Sequence, residues 1–377
     1  MDDAAVPVAI VKTDKASGAR RAVELLGGME RFVRSGDRVI VKPNVCAAKG
    51  SSTGTVTDPE MVAEVCRMVS ECGGEALVAE SPIFPFNSGR VFRKAGYSDF
   101  ESRYGFPLLD LDSEEGCGIR VPGGLVLDHS VVPKVVLTCD VLINMPVMKT
   151  HLQTVVSLGL KNLKGVVQGK QKHVIHLVGL DAGIVDLNTV IRSDLTIIDG
   201  IIGMEGFGGP TNGRAVRMDV VVAGDNVVEA DATGVRVMGG EPGKVEHVRL
   251  ASERGLGSLD GFELLGDGLE SVARERELPR RPELNRAIIS GTMLRGWNLL
   301  RDPVMRLVGG ERVERSSRVG DLVMDSDACD GCRLCLPACP VDAMSFDEVL
   351  RCDREACIRC FCCAEVCPRG ALSKRFA

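Results

Sequence analysis

Between Pro7 and Pro279, short and almost continuous apolar runs alternate with stretches of helical spacing. The runs at 7–11, 38–42, 76–79, 131–137, 141–144, 195–198 and 218–223 predict strands. Helical spacing predicts helices over 19–33, 181–192 and 228–238. A further helix is predicted from Pro59 through Ser70, with Asp58 as its N-cap and Gly73-Gly74 closing it. Strands that are apolar at successive positions are buried on both faces. Alternating with helices, they predict an α/β fold with a mostly parallel sheet. Ligands in such folds bind beyond the carboxyl ends of the strands, so the loops there carry the candidate chemistry.

Four such segments stand out. The first is Lys42-Pro43-Asn44 and the Gly/Ser/Thr stretch to Thr57. The second is 144–151, Asn144 to His151. The third runs from Lys161-Asn162-Leu163-Lys164-Gly165 to His176. The fourth is 199–213, with six glycines and Glu205. Residues 141–180 hold five Lys and three His but no Asp or Glu, in a chain with 52 acids among 377 residues. That imbalance predicts a basic cavity for an anionic small molecule. Lys42, Asn44, Lys161, Asn162, Lys164 and Glu205 are its candidate binding residues, and Lys149, His151 and His173 its candidate catalytic ones. A solvated basic face or a protein-docking surface would account for the same charges. His173 and His176, three apart, share one face of a helix, which suits an anion or a metal.

Length and composition then narrow the class. A chain of 377 residues, 45% hydrophobic and 26% charged, is a globular protein of two or three domains. The net charge of -6, and the absence of Phe, Trp and Tyr from 141–180, give nucleic acid nothing to bind. No uncharged apolar run is long enough to cross a bilayer, so no transmembrane segment is expected. The acidic start and the short run after Arg20-Arg21 lack the form of a signal peptide, which predicts a cytoplasmic protein. Gly165 to Gln171 has the wrong glycine spacing for a phosphate loop, and 206–211 lacks the third glycine of a dinucleotide fingerprint.

Ten of the 15 Cys lie between 329 and 367. In a reducing cytosol, clustered cysteines point to metal rather than disulfides. Cys329, Cys332, Cys335 and Cys339 are spaced C-x2-C-x2-C-x3-C before Pro340. Cys357, Cys360, Cys363 and Cys367 repeat that frame before Pro368, each Cys with its counterpart at one constant offset. The first three thiolates of a frame wrap one cubane, and the fourth reaches the other. Cys329, Cys332, Cys335 and Cys367 are therefore expected to hold one [4Fe–4S] cluster, and Cys357, Cys360, Cys363 and Cys339 a second. Zinc, which is served by separated C-x2-C pairs, is the competing reading. Cys352 and Cys362 fall outside both frames. The pattern resembles the bacterial two-cluster ferredoxin domain. It implies an electron donor or acceptor protein as partner.

The expected domains are 1–283, an α/β unit with the basic site; 284–320, a connecting segment; and 321–377, the two-cluster unit. Trp297, Leu299, Leu300, Val304, Met305 and Leu307 form an apolar run within the connector. It could pack the two units together, or lie at a homodimer contact or a membrane surface.

Several motifs in the first unit resemble the family called domain of unknown function 362. They are Val41-Lys42-Pro43-Asn44, Thr57-Asp58-Pro59, 144–151, and Gly159-Leu160-Lys161-Asn162 with Gly165. Asp199-Gly200, Met204-Glu205-Gly206, Ala223-Gly224-Asp225 and Glu229 with Asp231 and Gly234 complete the set. Members often carry a two-cluster ferredoxin unit. The resemblance implies the domain and its loops without supplying a reaction. A shorter stretch, Lys161 to His176, is similar in its order of glycines and terminal histidine to lactate racemase-type nickel-pincer enzymes. Together these readings predict an iron–sulfur oxidoreductase that passes single electrons to the anion, or alternatively a non-catalytic electron-transfer subunit.

Overall fold

A computed structural model describes residues 7–169, 171–279 and 321–375. The connector, with Trp297 and its apolar neighbours, lies outside the described residues. One ten-stranded sheet forms the α/β body. Its strands are β1 (Val8–Lys12), β2 (Arg38–Pro43), β3 (Glu75–Glu80) and β4 (Leu108–Asp110), then, after a separate hairpin of β5 (Gly116–Arg120) and β6 (His129–Pro133), β7 (Val141–Met145). They continue with β8 (Val147–His151), β9 (Val155–Ser157), β10 (Leu195–Glu205), β11 (Arg214–Gly224) and β12 (Leu264–Gly266). The order is β12-β1-β11-β10-β7-β2-β3-β4, with β8 beside β10 and β9 beside β8. Pairs β2–β3, β2–β7, β3–β4, β10–β7, β10–β8 and β1–β12 are parallel. Only β11 against its two neighbours, and β9 against β8, run antiparallel.

Burial on both faces explains the unbroken apolar strands. Val8 and Ile10 pack into one hydrophobic cluster, Ala9 and Val11 into the other. Ile40 is likewise separated from Val39 and Val41. Helices cover both sides: α1 (Gly18–Leu25) and α2 (Pro59–Glu71) contribute to the second cluster, α3 (Leu180–Val190) and α4 (Val227–Val237) to the first. The Asp58 carboxylate accepts from Glu60 N at 2.8 Å, the cap that the Asp-Pro pair predicts.

Four expectations are corrected. The span 19–33 is not one helix: Gly27 and Gly28 adopt φ of 100° and 90°, which ends α1 before a separate turn at Met29–Arg31. The span 131–137 is half strand. Pro133, with its fixed φ, closes β6, and Lys134–Leu137 turns helical. Residues 147–151 are strand β8 rather than loop, held by β10 on one side and β9 on the other. Residues 199–205 likewise continue β10, through an irregularity between Gly200 and Ile202.

The cysteine-rich unit is a structural duplication. It has β13 (Asp321–Met324), β14 (Met344–Asp347), β15 (Val349–Cys352) and β16 (Leu372–Arg375). The offset that carries Cys329 to Cys357 also carries the bounds of β13 to those of β15, and the bounds of β14 to those of β16. The copies exchange partners, β13 with β16 and β14 with β15. Backbone strain repeats too: Arg333 and Phe361, equivalent in the two copies, have φ of 58° and 56°.

Candidate functional site

The swap of strands between copies crosses the two cysteine frames. One cavity is lined by Cys329, Cys332, Cys335 and Cys367, together with Phe346 and Leu350. A second is lined by Cys339, Cys357, Cys360 and Cys363, together with Val341 and Phe361. Each therefore takes three thiols from one frame and the fourth from the other. Among the described residues, no three His, Cys, Asp or Glu converge as ligands of a single ion. The thiols instead surround a volume, as corner ligands of a cubane do. The donor set fits iron–sulfur clusters: the converging thiols are all sulfur, and apolar side chains such as Phe346, Leu350, Val341 and Phe361 stand between them.

At the carboxyl end of the parallel strands, many candidate residues bond to one another. Lys42 Nζ donates to Glu80 Oε2 at 2.9 Å, Pro43 O at 3.1 Å and Asn162 Oδ1 at 3.4 Å. Asn44 Nδ2 donates to the same Asn162 oxygen at 2.9 Å, and Asn162 Nδ2 donates to Asn144 Oδ1 at 2.8 Å. Lys149 Nζ donates to Asn44 Oδ1 and Thr55 O, both at 2.7 Å, and to Cys46 Sγ at 3.3 Å. An ammonium has three donors. Those of Lys42 and Lys149 are all used internally. Thus Lys42, Asn44, Asn162 and Lys149 form one buried network that ties β2, β7, β8 and the 159–166 turn together. Gly165 makes room for it: a Cβ there would lie 2.7 Å from Glu80 Oε1 and 2.8 Å from Lys42 Nζ. Glu205 lies apart, paired with Arg214 and accepting from Glu277 N at 3.4 Å.

A second group remains available. In the short helix Gly159–Asn162 and the turn Leu163–Val166, Leu160 and Leu163 are buried. Lys161 and Lys164, three apart, occupy one side, half-buried. The Asp231 carboxylate fixes this turn by accepting from Gly159 N at 2.6 Å and Leu160 N at 2.9 Å. Lys164 Nζ bonds His176 Nε2 at 2.6 Å, on the helix Gln171–Val178. His173, on the same helix, sits edge-on to Phe84 at 5.4 Å. Lys161 has no hydrogen-bond or ion-pair partner among the described residues. Burial, reinforced by the charge of Lys164, lowers its pKa to about 8. Burial and the charge of Lys161 lower His151 to about 3. Geometry agrees: His151 Nδ1 accepts from the backbone N–H of Gln153 and Thr154 at 3.1 and 3.3 Å. The ring is therefore neutral, with its proton on Nε2.

The acid missing from 141–180 arrives from the far end of the chain. Glu365, on the helical turn Cys362–Glu365 of the cysteine-rich unit, places Oε1 3.2 Å from His151 Nε2. Burial alone would raise this carboxyl, but its basic neighbours, with the charge on Lys161, hold it well below the usual range. A seam surrounds the contact. Thr211 Oγ1 donates to Glu365 O at 3.0 Å, Asn212 Nδ2 to Cys367 O at 2.9 Å, and Lys374 Nζ to Leu152 O at 3.2 Å. Leu152 itself packs into the hydrophobic cluster of the cysteine-rich unit. Glu365 and Leu152 escape the sequence reading, while Thr211 and Asn212 lie within its fourth segment, 199–213, without being named there. One signal was present: Glu365 holds in the second copy the place of Pro337 in the first, a point where the two depart from each other.

Fold and site define an α/β protein that carries a ferredoxin-type iron–sulfur unit at one end of its sheet. The chain belongs to the family described as Domain of unknown function (DUF362), whose pattern matches residues 39–236. A 4Fe-4S binding domain matches residues 322–345, so this segment binds a [4Fe–4S] cluster. A thylakoid-associated protein of Synechocystis sp. is 31% identical over 243 residues, 63% of this chain and 74% of that protein. Among solved structures, the lactate racemase apoprotein from Thermoanaerobacterium thermosaccharolyticum aligns with a TM-score of 0.41 at 12% identity, covering 62% of this chain and 57% of that one. A protein from Thermotoga maritima aligns with a TM-score of 0.36 at 12% identity, covering 64% and 60%. The chain spans about three-fifths of the length of both. No helix among the described residues is long and apolar enough to cross a membrane.

Proposed function

We infer that this protein is an iron–sulfur oxidoreductase that moves single electrons to an anionic small molecule held in the α/β body. One observation carries the reading: the turn Cys362–Glu365, which includes the expected cluster ligand Cys363, also brings Glu365 against His151 of the basic segment. Cys329, Cys332, Cys335 and Cys367 would hold one cluster, and Cys339, Cys357, Cys360 and Cys363 a second. When bound, such clusters supply one-electron transfer. The anion meets Lys161 and Lys164, whose charges stabilise negative charge that develops on it. His151 offers a fixed Nε2–H as donor, and His173, on the helix that also carries His176, would be the proton source. Lys42, Asn44, Asn162 and Lys149 hold the walls in register. Cys332 is exposed and is where a partner electron-transfer protein would approach. The cysteine usage suits a reducing, cytoplasmic setting.

A docking subunit for an acidic redox protein would need its basic segment on the surface. Lys42, Lys149, His151 and Lys172 are buried, which favours the small molecule. The test is anaerobic purification with iron and sulfide analysis, then EPR of the dithionite-reduced protein. About eight irons per chain and two interacting spins are expected. Zinc in place of iron, or a single cluster per chain, would sink the relay.

A further inference from the structure

The contact between His151 and Glu365 is incomplete. Although 3.2 Å apart, His151 Nε2 and Glu365 Oε1 lack hydrogen-bond geometry, and both atoms are buried without another partner. Buried polar atoms are almost always satisfied, so a facing pair of orphans marks a place where a further group completes the bonding. Lys161 stands at the same place with its donors unused among the described residues. The two-cluster frame does not require an acid here, since the equivalent position of the first copy is Pro337.

We propose that Glu365 is a resident stand-in for the ligand: the crevice takes a small carboxylic acid, whose carboxylate replaces that of Glu365 before His151 and Lys161. This rests on the reading of the crevice as an anion site and names its ligand class. Donor arrangement points to the class. The His151 Nε2–H lies beside the Lys161 ammonium, a pair suited to the two oxygens of a carboxylate, while Lys164 is held by His176. A phosphate would use more donors, typically backbone amides at a helix N-terminus. The amides that open the Lys161 turn, Gly159 N and Leu160 N, are already taken by Asp231.

The experiment uses the full chain, purified anaerobically with iron and sulfide contents checked. Acetate and inorganic phosphate are titrated by calorimetry into the wild type, Glu365→Ala, Glu365→Gln, and Glu365→Ala combined with Lys161→Gln. Acetate should bind Glu365→Ala about tenfold or more tighter than the wild type, the scale of one charge-assisted hydrogen bond. It should also bind tighter than phosphate, and Lys161→Gln should reverse the gain. If Glu365→Ala fails to retain iron, Glu365→Gln replaces it, because the amide keeps the volume and removes the competing charge. Acetate binding no tighter without the Glu365 charge would overturn the proposal, as would a preference for phosphate. Failure of both anions to respond when Lys161→Gln is added to Glu365→Ala would instead remove the anion-site reading itself.

Discussion

Asp231 lets the turn that carries Lys161 and Lys164 be tested through a proton. Its carboxylate is fully buried and accepts the amides of Gly159 and Leu160, at 2.6 and 2.9 Å. Burial raises its pKa from the ordinary 3.8 to about 7, and the two amides offset only part of that. A carboxyl with a raised folded-state pKa stabilises the fold fully below the unfolded value, and the contribution is lost as pH rises through the folded value. Between pH 5.5 and 8 the loss spans about 1.5 pH units of linkage, or ~2 kcal/mol at about 1.4 kcal/mol per unit. The turn that carries Lys161 and Lys164 therefore opens more easily as pH rises. Hydrogen exchange at the Gly159 and Leu160 amides, read by mass spectrometry on the holoprotein, reports that opening. The ratio of wild-type to Asp231→Asn protection cancels the intrinsic pH dependence of exchange. It should fall about thirtyfold from pH 5.5 to 8, which is ~2 kcal/mol expressed as a ratio. A ratio that stays flat, or rises, would refute the reasoning, because it would mean that two amide bonds outweigh burial.

Two further outcomes follow from the same kind of accounting. Gly165→Ala pushes a methyl into the buried Lys42–Glu80 pair, and misaligning a buried pair costs about 3 kcal/mol. Its holoprotein should melt several degrees lower, and an unchanged melt would show that the pair moves freely. Asp186 accepts the backbone N–H of Leu125, Val126 and Leu127 at 2.7, 2.8 and 2.9 Å. Asp186→Ala strands three amides and should cost about 3–5 kcal/mol, with Asp186→Asn intermediate; equal melts for both variants would contradict this.

Much of this was legible in the sequence, for reasons that differ by element. The parallel strands could be read because double-sided burial leaves an unbroken apolar run, as at Val39 to Val41. The two cysteine frames could be read because a cubane fixes the spacing of its ligands. Strand β8 could not, because Lys149, Thr150 and His151 are polar yet buried, so neither alternation nor an apolar run marks it. Counting charge located the basic region but could not apportion it. Nothing in composition tells that the donors of Lys149 are consumed by Asn44, Thr55 and Cys46, while those of Lys161 are not. Motifs such as Thr57-Asp58-Pro59 also carry more scaffold than chemistry. Thr57 Oγ1 donates to Met145 O at 2.7 Å, and Asp58 N donates to Asp199 Oδ2 at 2.9 Å.

The same distinction bears on how the iron–sulfur unit works. A carrier that shuttles between partners needs a surface that lets go. Here the glycine-rich loop 206–213 holds two successive turns of the cysteine-rich unit through Thr211 and Asn212, and Lys49 braces that loop from the other side at Thr211 O and Asn212 Oδ1. Gly209 must be glycine for this, since a Cβ would lie 2.1 Å from Thr150 O. Strand β8 thus supports the loop at Thr150, meets Glu365 at His151, and leads into Leu152, which packs in the hydrophobic cluster beside Cys335, Cys363 and Cys367. Three consecutive residues at the end of one strand thus touch the loop, Glu365 and the hydrophobic cluster that holds Cys335, Cys363 and Cys367. Release of the unit would strip Leu152 of its packing and leave His151 and Glu365 without each other. The cysteine-rich unit is accordingly packed against the end of the sheet through Thr211, Asn212 and Leu152, with Cys332 on its exposed side.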